Sequence, residues 1–172
     1  MNNDLKQKFE KIKFLALDFD GVLTDGKVYF DQDGHEMVVN SRRDSMGVGM
    51  LQKLVGIYVC IISTETNPVV AKRAEKMKVD VRQKIETSEG KLEVLKRIAE
   101  EKGFSPEQIL YMGDDINDLK PLEYAGVGVT VADGHKLLKE KADYITTGKG
   151  GDHAVREVCE MILEAKGITP EV

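Results

Sequence analysis

Hydrophobic residues in this chain come in short, nearly unbroken blocks, and each block ends in a small or acidic residue. The first, IKFLALDFDG at 12–21, is apolar until Asp18 and Asp20 interrupt it. That is the pattern of a parallel strand buried on both faces and ending in polar groups. Blocks at 56–63 (GIYVCIIS), 108–114 (QILYMGD) and 126–132 (GVGVTVA) repeat it, with shorter versions at 79–82 and 143–146. Between them the apolar spacing changes to three and four, that of a helix with one buried face. Residues 68–77, 91–103 and 152–167 carry this spacing. Asn67 before Pro68 reads as a helix cap, and Ser105-Pro106-Glu107-Gln108 has capping-box spacing that predicts a further helix start.

Strand and helix alternate, which predicts an α/β fold with a doubly wound, Rossmann-like parallel sheet. One segment departs from the alternation. At 27–40, two stretches rich in β-branched and aromatic residues flank Asp33-Gly34, the signature of a β-hairpin inserted after the first strand. With no internal repeat and no low-complexity linker, residues 1–172 are expected to form one domain. Only the first ten and last five residues read as poorly tied down.

Composition excludes several classes. With 41% hydrophobic and 32% charged residues, the chain is neither a disordered tail nor a membrane protein. Its net charge of −5, without a basic stripe interleaved with aromatics, argues against a nucleic-acid partner. The start, MNNDLKQKFEKIK, lacks the apolar core of a signal peptide, so a cytoplasmic location without membrane contact is expected. Cys60 and Cys159 lack metal-ligand spacing and read as reduced, buried thiols, while His35, His135 and His153 read as surface residues.

Ligands of a doubly wound sheet bind beyond the carboxyl ends of its strands. Asp18 and Asp20 end the first strand, Ser63 the next, and Asp114 and Asp115 another, while Lys91 opens an intervening helix. Carboxylates gathered at one point persist together at neutral pH only beside a cation. With oxygen ligands and no histidine or cysteine, Mg2+ is the expected ion. A lysine near such a cluster is best used against an anion that the metal also holds, which points to phosphate. An isolated Asp-x-Asp or Gly-Asp-Asp is a common turn. The order DFDGVLTD, serine, lysine, GDDIND is what carries weight.

In that order the residues resemble the four motifs of the haloacid dehalogenase superfamily, from Asp18 to Asp118. The resemblance implies a phosphomonoester hydrolase in which Asp18 attacks phosphorus to form an aspartyl-phosphate. Asp20 would protonate the leaving oxygen and then activate water. It also implies Mg2+ on Asp18, the backbone carbonyl of Asp20 and Asp114, with Asp115 at the metal or just behind it. Ser63 and Lys91 would hold phosphoryl oxygens. Gly21 would allow close backbone approach, and Asp118 would orient Lys91 or cap a helix.

The intervals from Asp20 to Ser63 and from Ser63 to Lys91 are too short for a cap domain. The resemblance is therefore to the capless branch, whose hairpins assemble a homotetramer. Within it the chain is similar to 3-deoxy-octulosonate 8-phosphate and nonulosonate 9-phosphate phosphatases, including the phosphatase-like domain of acylneuraminate cytidylyltransferases. The stretches at 41–47, 62–79 and 150–158 favour the nonulosonate group, as does Ser63-Thr64-Glu65 where octulosonate enzymes have Thr-Gly-Arg. That exchange of a cation for an acceptor suits sugar hydroxyls. Thr64, Glu65, Arg73 and Lys76 are the implied substrate contacts, although 68–79 also reads as an ordinary amphipathic helix with a solvated basic face. Arg42, Arg43 and Asp44, before a Gly47-rich turn, are placed near the site mouth, and Gly150 and Gly151 either pass close to the site or make a turn. The expected reaction is hydrolysis of a small 2-keto-3-deoxy sugar-acid phosphate. A signalling receiver domain would place its lysine after all its aspartates, which the order here contradicts. The alternative is a weak or silent oligomerisation module related to the cytidylyltransferase tail, against which the complete set Asp18, Asp20, Ser63, Lys91 and Asp114 argues.

Overall fold

A computed structural model describes residues 2–169. Its centre is a six-stranded parallel sheet in the order β5-β4-β1-β6-β7-β8. The strands are β1 (Phe14–Leu17), β4 (Tyr58–Ile62), β5 (Asp80–Arg82), β6 (Ile109–Gly113), β7 (Val127–Thr130) and β8 (Tyr144–Ile145). Each falls within a block that the hydrophobic pattern predicts. Alternate residues of β1 serve different layers: Leu15 and Leu17 join one buried cluster, Phe14 and Ala16 the other. Both faces are therefore covered, which is why the strand reads as continuously apolar.

Helices α2 (Arg42–Val55) and α7 (Ala154–Ala165) pack on the first face through Val48, Leu51, Val155, Val158 and Ile162. Helix α4 (Ser88–Lys102) covers the other with Val94, Leu95 and Ile98. Shorter helices α3 (Val69–Met77), α5 (Leu119–Tyr124) and α6 (Lys136–Lys141) complete the layers. The strand order reverses at β1, which sits between β4 and β6. Leu17 is level with Ile61 on one side and Met112 on the other, so the chain leaves all three strands at the same end. That end is the topological switch point where such sheets bind ligands.

The hairpin pairs β2 (Tyr29–Phe30) with β3 (Glu36–Met37), and Gly34 takes the left-handed conformation its turn requires (φ 81°). No cap domain is present among the described residues. Cys60 and Cys159 are free and buried, and no described helix is long and apolar enough to cross a membrane.

Three local expectations are corrected. Ser105 to Gln108 form only a single 3-10 turn (Pro106–Gln108), because the Gln108 carbonyl accepts the Lys13 amide and draws the chain into β6. The Gly47-rich segment is the interior of α2, where the missing side chain lets α7 approach. A Cβ on Gly47 would stand 3.0 Å from Arg156 Cδ and 3.2 Å from Cys159 Cβ. Asp44 is consequently buried against α7, its Oδ1 accepting the Arg156 amide at 2.8 Å, while Arg42 and Arg43 are exposed.

The first ten residues are also tied down. Helix α1 (Asn3–Glu10) is capped by Asn2, whose Oδ1 accepts the Leu5 amide at 2.8 Å, and Phe9 is fully buried in the α7 face of the core. Ile168 packs against the same cluster, and residues 170–172 lie outside the described part of the chain. Phe9→Ala is expected to destabilise the fold by about 3–5 kcal/mol, the usual cost of removing a buried phenyl ring. Urea denaturation measures it, and a loss under about 1 kcal/mol would mean that α1 is not docked.

Candidate active site

The loop after β1 brings its two aspartates forward by a sharp backbone turn. Asp18 still belongs to the sheet edge, its amide donating to the Met112 carbonyl at 2.9 Å. Gly21 follows with φ 74°, and a Cβ there would fall 1.9 Å from Asp114 Oδ2. Only glycine lets the β6 carboxylate come that close. Thr24 Oγ1 accepts the Gly21 and Gly26 amides at 3.2 and 3.1 Å and donates to Asp20 Oδ1 at 3.4 Å. Gly150 closes the loop from behind, since a Cβ on it would meet the Gly21 carbonyl at 1.9 Å.

Lys91 reaches the same point from the first turn of α4, which Thr87 caps through a 3.0 Å bond from the Gly90 amide. Its ammonium is fully buried, 2.6 Å from Asp118 Oδ1 and 2.9 Å from Asp18 Oδ1. Asp118 ends a 3-10 turn (Ile116–Asp118) that Asp115 caps by accepting the Ile116 amide. Both Asp118 oxygens are occupied. Oδ1 also takes the Tyr111 hydroxyl at 2.7 Å, and Oδ2 takes the Asp114 and Asp115 amides at 3.0 and 3.4 Å.

Burial and neighbouring negative charge act together on Asp18, Asp20 and Asp114. Burial pushes Asp18 well above the usual carboxylate range, Asp118 adds to this, and Lys91 opposes it. Asp114 is pushed up to about 7 by burial and by Asp118 and Asp115. Asp20 is raised by burial and then by Glu65. Burial works against the charge of Lys91, but Asp18 and Asp118 outweigh it and leave its pKa raised. One ammonium thus faces a surplus of carboxylates.

A divalent cation fits that surplus. Asp18, Asp114 and Asp118 each offer an oxygen within 4.8 Å of the others, all of them hard ligands. Asp118 is already committed to Lys91, Tyr111 and two amides, so Asp18 and Asp114 are the side chains most available to an ion.

The candidate residues do not all converge. A cavity of about 380 Å³ is lined by Asp18, Asp20, Gly21, Thr64, Asp114 and Asp115, among others. Ser63 is buried beside it, with its hydroxyl accepting the Glu65 amide at 3.0 Å. Glu65 Oε1 accepts the Thr66 and Asn67 amides at 2.6 and 2.7 Å, shaping the loop that begins α3. Arg73 turns to α2, where it contacts the Ser41 carbonyl and the Ser45 hydroxyl, and Lys76 is exposed. Neither lines the cavity. The sequence reading missed Thr24 and Tyr111. Thr24 is signalled only by being a polar residue in an otherwise apolar turn, and Tyr111 by nothing, since it sits in a block that reads as core.

Comparison with known proteins bears on what this geometry is for. Residues 65–158 match the haloacid dehalogenase-like hydrolase family. The 3-deoxy-D-manno-octulosonate 8-phosphate phosphatase KdsC of Escherichia coli is 36% identical over 164 residues, covering 95% of this chain and 86% of its own. The chain belongs to the haloacid dehalogenase-like hydrolases. It is a phosphatase of that family. A Moraxella catarrhalis octulosonate phosphatase in complex with magnesium, phosphate and KDO superposes with a TM-score of 0.91 at 34% identity, covering 97% of this chain and 94% of that one. The cobalt-bound enzyme of Haemophilus influenzae gives 0.86 at 33% identity, with coverage of 94% and 92%.

Removing the buried cation tests the electrostatics. Lys91→Met leaves Asp18 and Asp118 without their counter-charge and is expected to cost about 3–5 kcal/mol at pH 7.5. Asp18 has a folded pKa above its unfolded one, so its protonated form favours folding and that contribution is lost as pH rises. The deficit of the variant relative to wild type should therefore shrink toward pH 5. Urea melts at the two pH values measure this, and a deficit independent of pH would contradict the charge assignment.

Proposed function

We propose that this phosphatase hydrolyses the phosphomonoester of a 2-keto-3-deoxy sugar acid of eight or nine carbons, with magnesium as its metal. The observation that carries the reading is the buried Lys91 ammonium, 2.9 Å from Asp18 Oδ1, behind the wall of a cavity that Asp18 and Asp20 line. An Asp18 oxygen bonds to phosphorus as the bond from phosphorus to the sugar oxygen breaks. Asp20 carries the proton that the leaving oxygen takes, a role that its raised pKa supports. Thr24 holds that carboxyl in place. In the second half Asp20 accepts a proton from water, whose oxygen attacks the same phosphorus, releasing orthophosphate and restoring Asp18. Lys91 and Ser63 face the phosphoryl oxygens. Asp18, the Asp20 carbonyl and Asp114 would hold the magnesium ion, which supplies positive charge against those oxygens, with Asp115 behind them.

The substrate class rests on the KdsC relatives and on the cavity itself. No lysine or arginine lines the cavity among the described residues, yet a sugar acid brings a carboxylate as well as a phosphate. The second cation would come from a neighbouring copy. The hairpin suits that role, because Phe30 and Met37 are 66% and 60% exposed on a ribbon too short to be stable alone. We infer a homotetramer built on it. Thr64 lines the cavity and Glu65 orders the loop beside it, which supports a contact between Thr64 and sugar hydroxyls.

A phosphate-release screen over octulosonate 8-phosphate and nonulosonate 9-phosphates, with and without magnesium, tests the reading. Wild type should release phosphate only with the metal, and Asp18→Asn should fall by about a thousandfold or more. An active Asp18→Asn variant would remove Asp18 as nucleophile.

Metal binding should also depend on pH. Asp114 has a folded pKa of about 7 against an ordinary 3.8, so folding without metal takes up a proton between those values. The associated stability is complete below about pH 4 and is lost as pH rises through about 7, where magnesium can replace the proton. The Tm increment from magnesium should be several degrees larger at pH 8 than at pH 5.5. Equal increments at both would show that the ion does not compete for this carboxyl.

A further inference from the structure

Tyr111 lies in the middle of β6 with no exposure at all, packed with Leu95, Ile98 and Leu122 in the cluster beneath α4. A phenylalanine would fill that space without bringing a hydroxyl into an apolar layer, and a buried hydroxyl is costly unless it is bonded. Among the described residues it has a single partner, Asp118 Oδ1 at 2.7 Å. The same oxygen receives the Lys91 ammonium at 2.6 Å. Asp118 is thereby held by four donors. Two backbone amides fix Oδ2, and Lys91 and Tyr111 share Oδ1. An ammonium has three donor hydrogens. Asp118 and Asp18 take two of those on Lys91, which leaves one for a phosphoryl oxygen.

We propose that Tyr111 is a positioning residue for phosphoryl transfer, its hydroxyl fixing the Asp118 carboxylate so that Lys91 keeps its third hydrogen on the phosphoryl group. Without the hydroxyl, Oδ1 has one donor where it had two, and the carboxylate can turn to draw the ammonium away from Asp18. The loss falls on charge that develops in the transition state, so it reads out in kcat and leaves KM in place. The inference rests on the phosphatase reading of the site and is indifferent to which sugar acid is the substrate.

The test is Tyr111→Phe, assayed with p-nitrophenyl phosphate as well as sugar-acid phosphates, so that a wrong sugar assignment leaves the comparison intact. The expected result is a kcat about tenfold lower, a KM within about twofold and a Tm within a few degrees of wild type. A structural role alone would move Tm and leave kcat unchanged, which would overturn the proposal. The double variant with Asp118→Asn supplies the coupling. If Tyr111 acts through Asp118, adding Tyr111→Phe to Asp118→Asn lowers kcat by less than about twofold, whereas a second full tenfold loss would show that the two act independently and sink the idea. A third measurement needs no turnover. Vanadate with magnesium mimics the transferring group, and calorimetry should find it bound about tenfold more weakly by Tyr111→Phe. Equal vanadate binding would overturn the proposal even if the wild type proved inactive on every phosphate tested, an outcome that would count separately against the phosphatase reading.

Discussion

One ammonium between two carboxylates organises this molecule. Lys91 has no contact with solvent, and burying an ion costs several kcal/mol unless its partners are close and well oriented. Its partners come from different parts of the chain: Asp18 from the end of β1, Asp118 from the turn after β6. The arrangement forms only when β1 and β6 are neighbours and the first turn of α4 sits over the gap between their ends. The ion triad therefore records the topology of the sheet. It also leaves the site with more negative charge than positive, as the raised carboxyls of Asp18, Asp20 and Asp114 show. A divalent cation would offset that surplus of negative charge, which is the physical reason such a cluster suits one.

Bringing so many oxygens together is as much a matter of missing side chains as of acidic ones. A Cβ on Gly21 would occupy the position of the Asp114 carboxylate, and one on Gly113 would lie 2.3 Å from Asp118 Cβ. Gly150 does the same for the backbone of the loop after β1. Gly21 and Gly150 each remove an atom that would hold two segments apart, and Gly113 lets the turn after β6 fold Asp118 back against its own strand end. Rigidity then comes from hydroxyls. Thr24 gathers two amides and one carboxyl in the first loop, and Thr130 bonds the Gly113 carbonyl at 2.9 Å to steady the end of β6. The loops are short and heavily cross-bonded, which keeps repelling carboxyls from swinging apart.

The sheet was plain in the sequence because its central strands are buried on both sides, and six apolar blocks mark six strands. What the pattern hid was anything defined by contact between distant segments. Helix α2 looks like a glycine-rich turn when read alone, and its glycine makes sense only once α7 lies against it. Phe9 looks like one apolar residue in a charged leader until the α7 face closes over it. The capping-box residues at 105–108 carry a true local signal, but the adjoining strand captures their last residue before a helix can grow. In the site, the order of aspartates, serine and lysine was visible, whereas the sharing of one Asp118 oxygen by Lys91 and Tyr111 was not. A tyrosine in a strand core carries no mark of which atom its hydroxyl will meet. Arg73 shows the opposite limit, since a basic helix face suggests a ligand contact while the folded side chain holds α3 to α2.

The open side of the cavity connects the chemistry to assembly. An enzyme that moves a phosphoryl group benefits from excluding water beyond the one it uses, because its charges act more strongly in a dry site. This chain lacks a cap domain among its described residues, and its hairpin leans toward the loop that starts α3, with Asn67 Nδ2 donating to Glu36 Oε2 at 2.7 Å. That bond ties the turn end of the ribbon to the loop beside the site, while Phe30 and Met37 stay in solvent. A surface that is costly to expose is thus anchored at the rim of a site that is costly to leave wet. Covering the first with another copy of the chain would shield the second, which gives the two problems one solution.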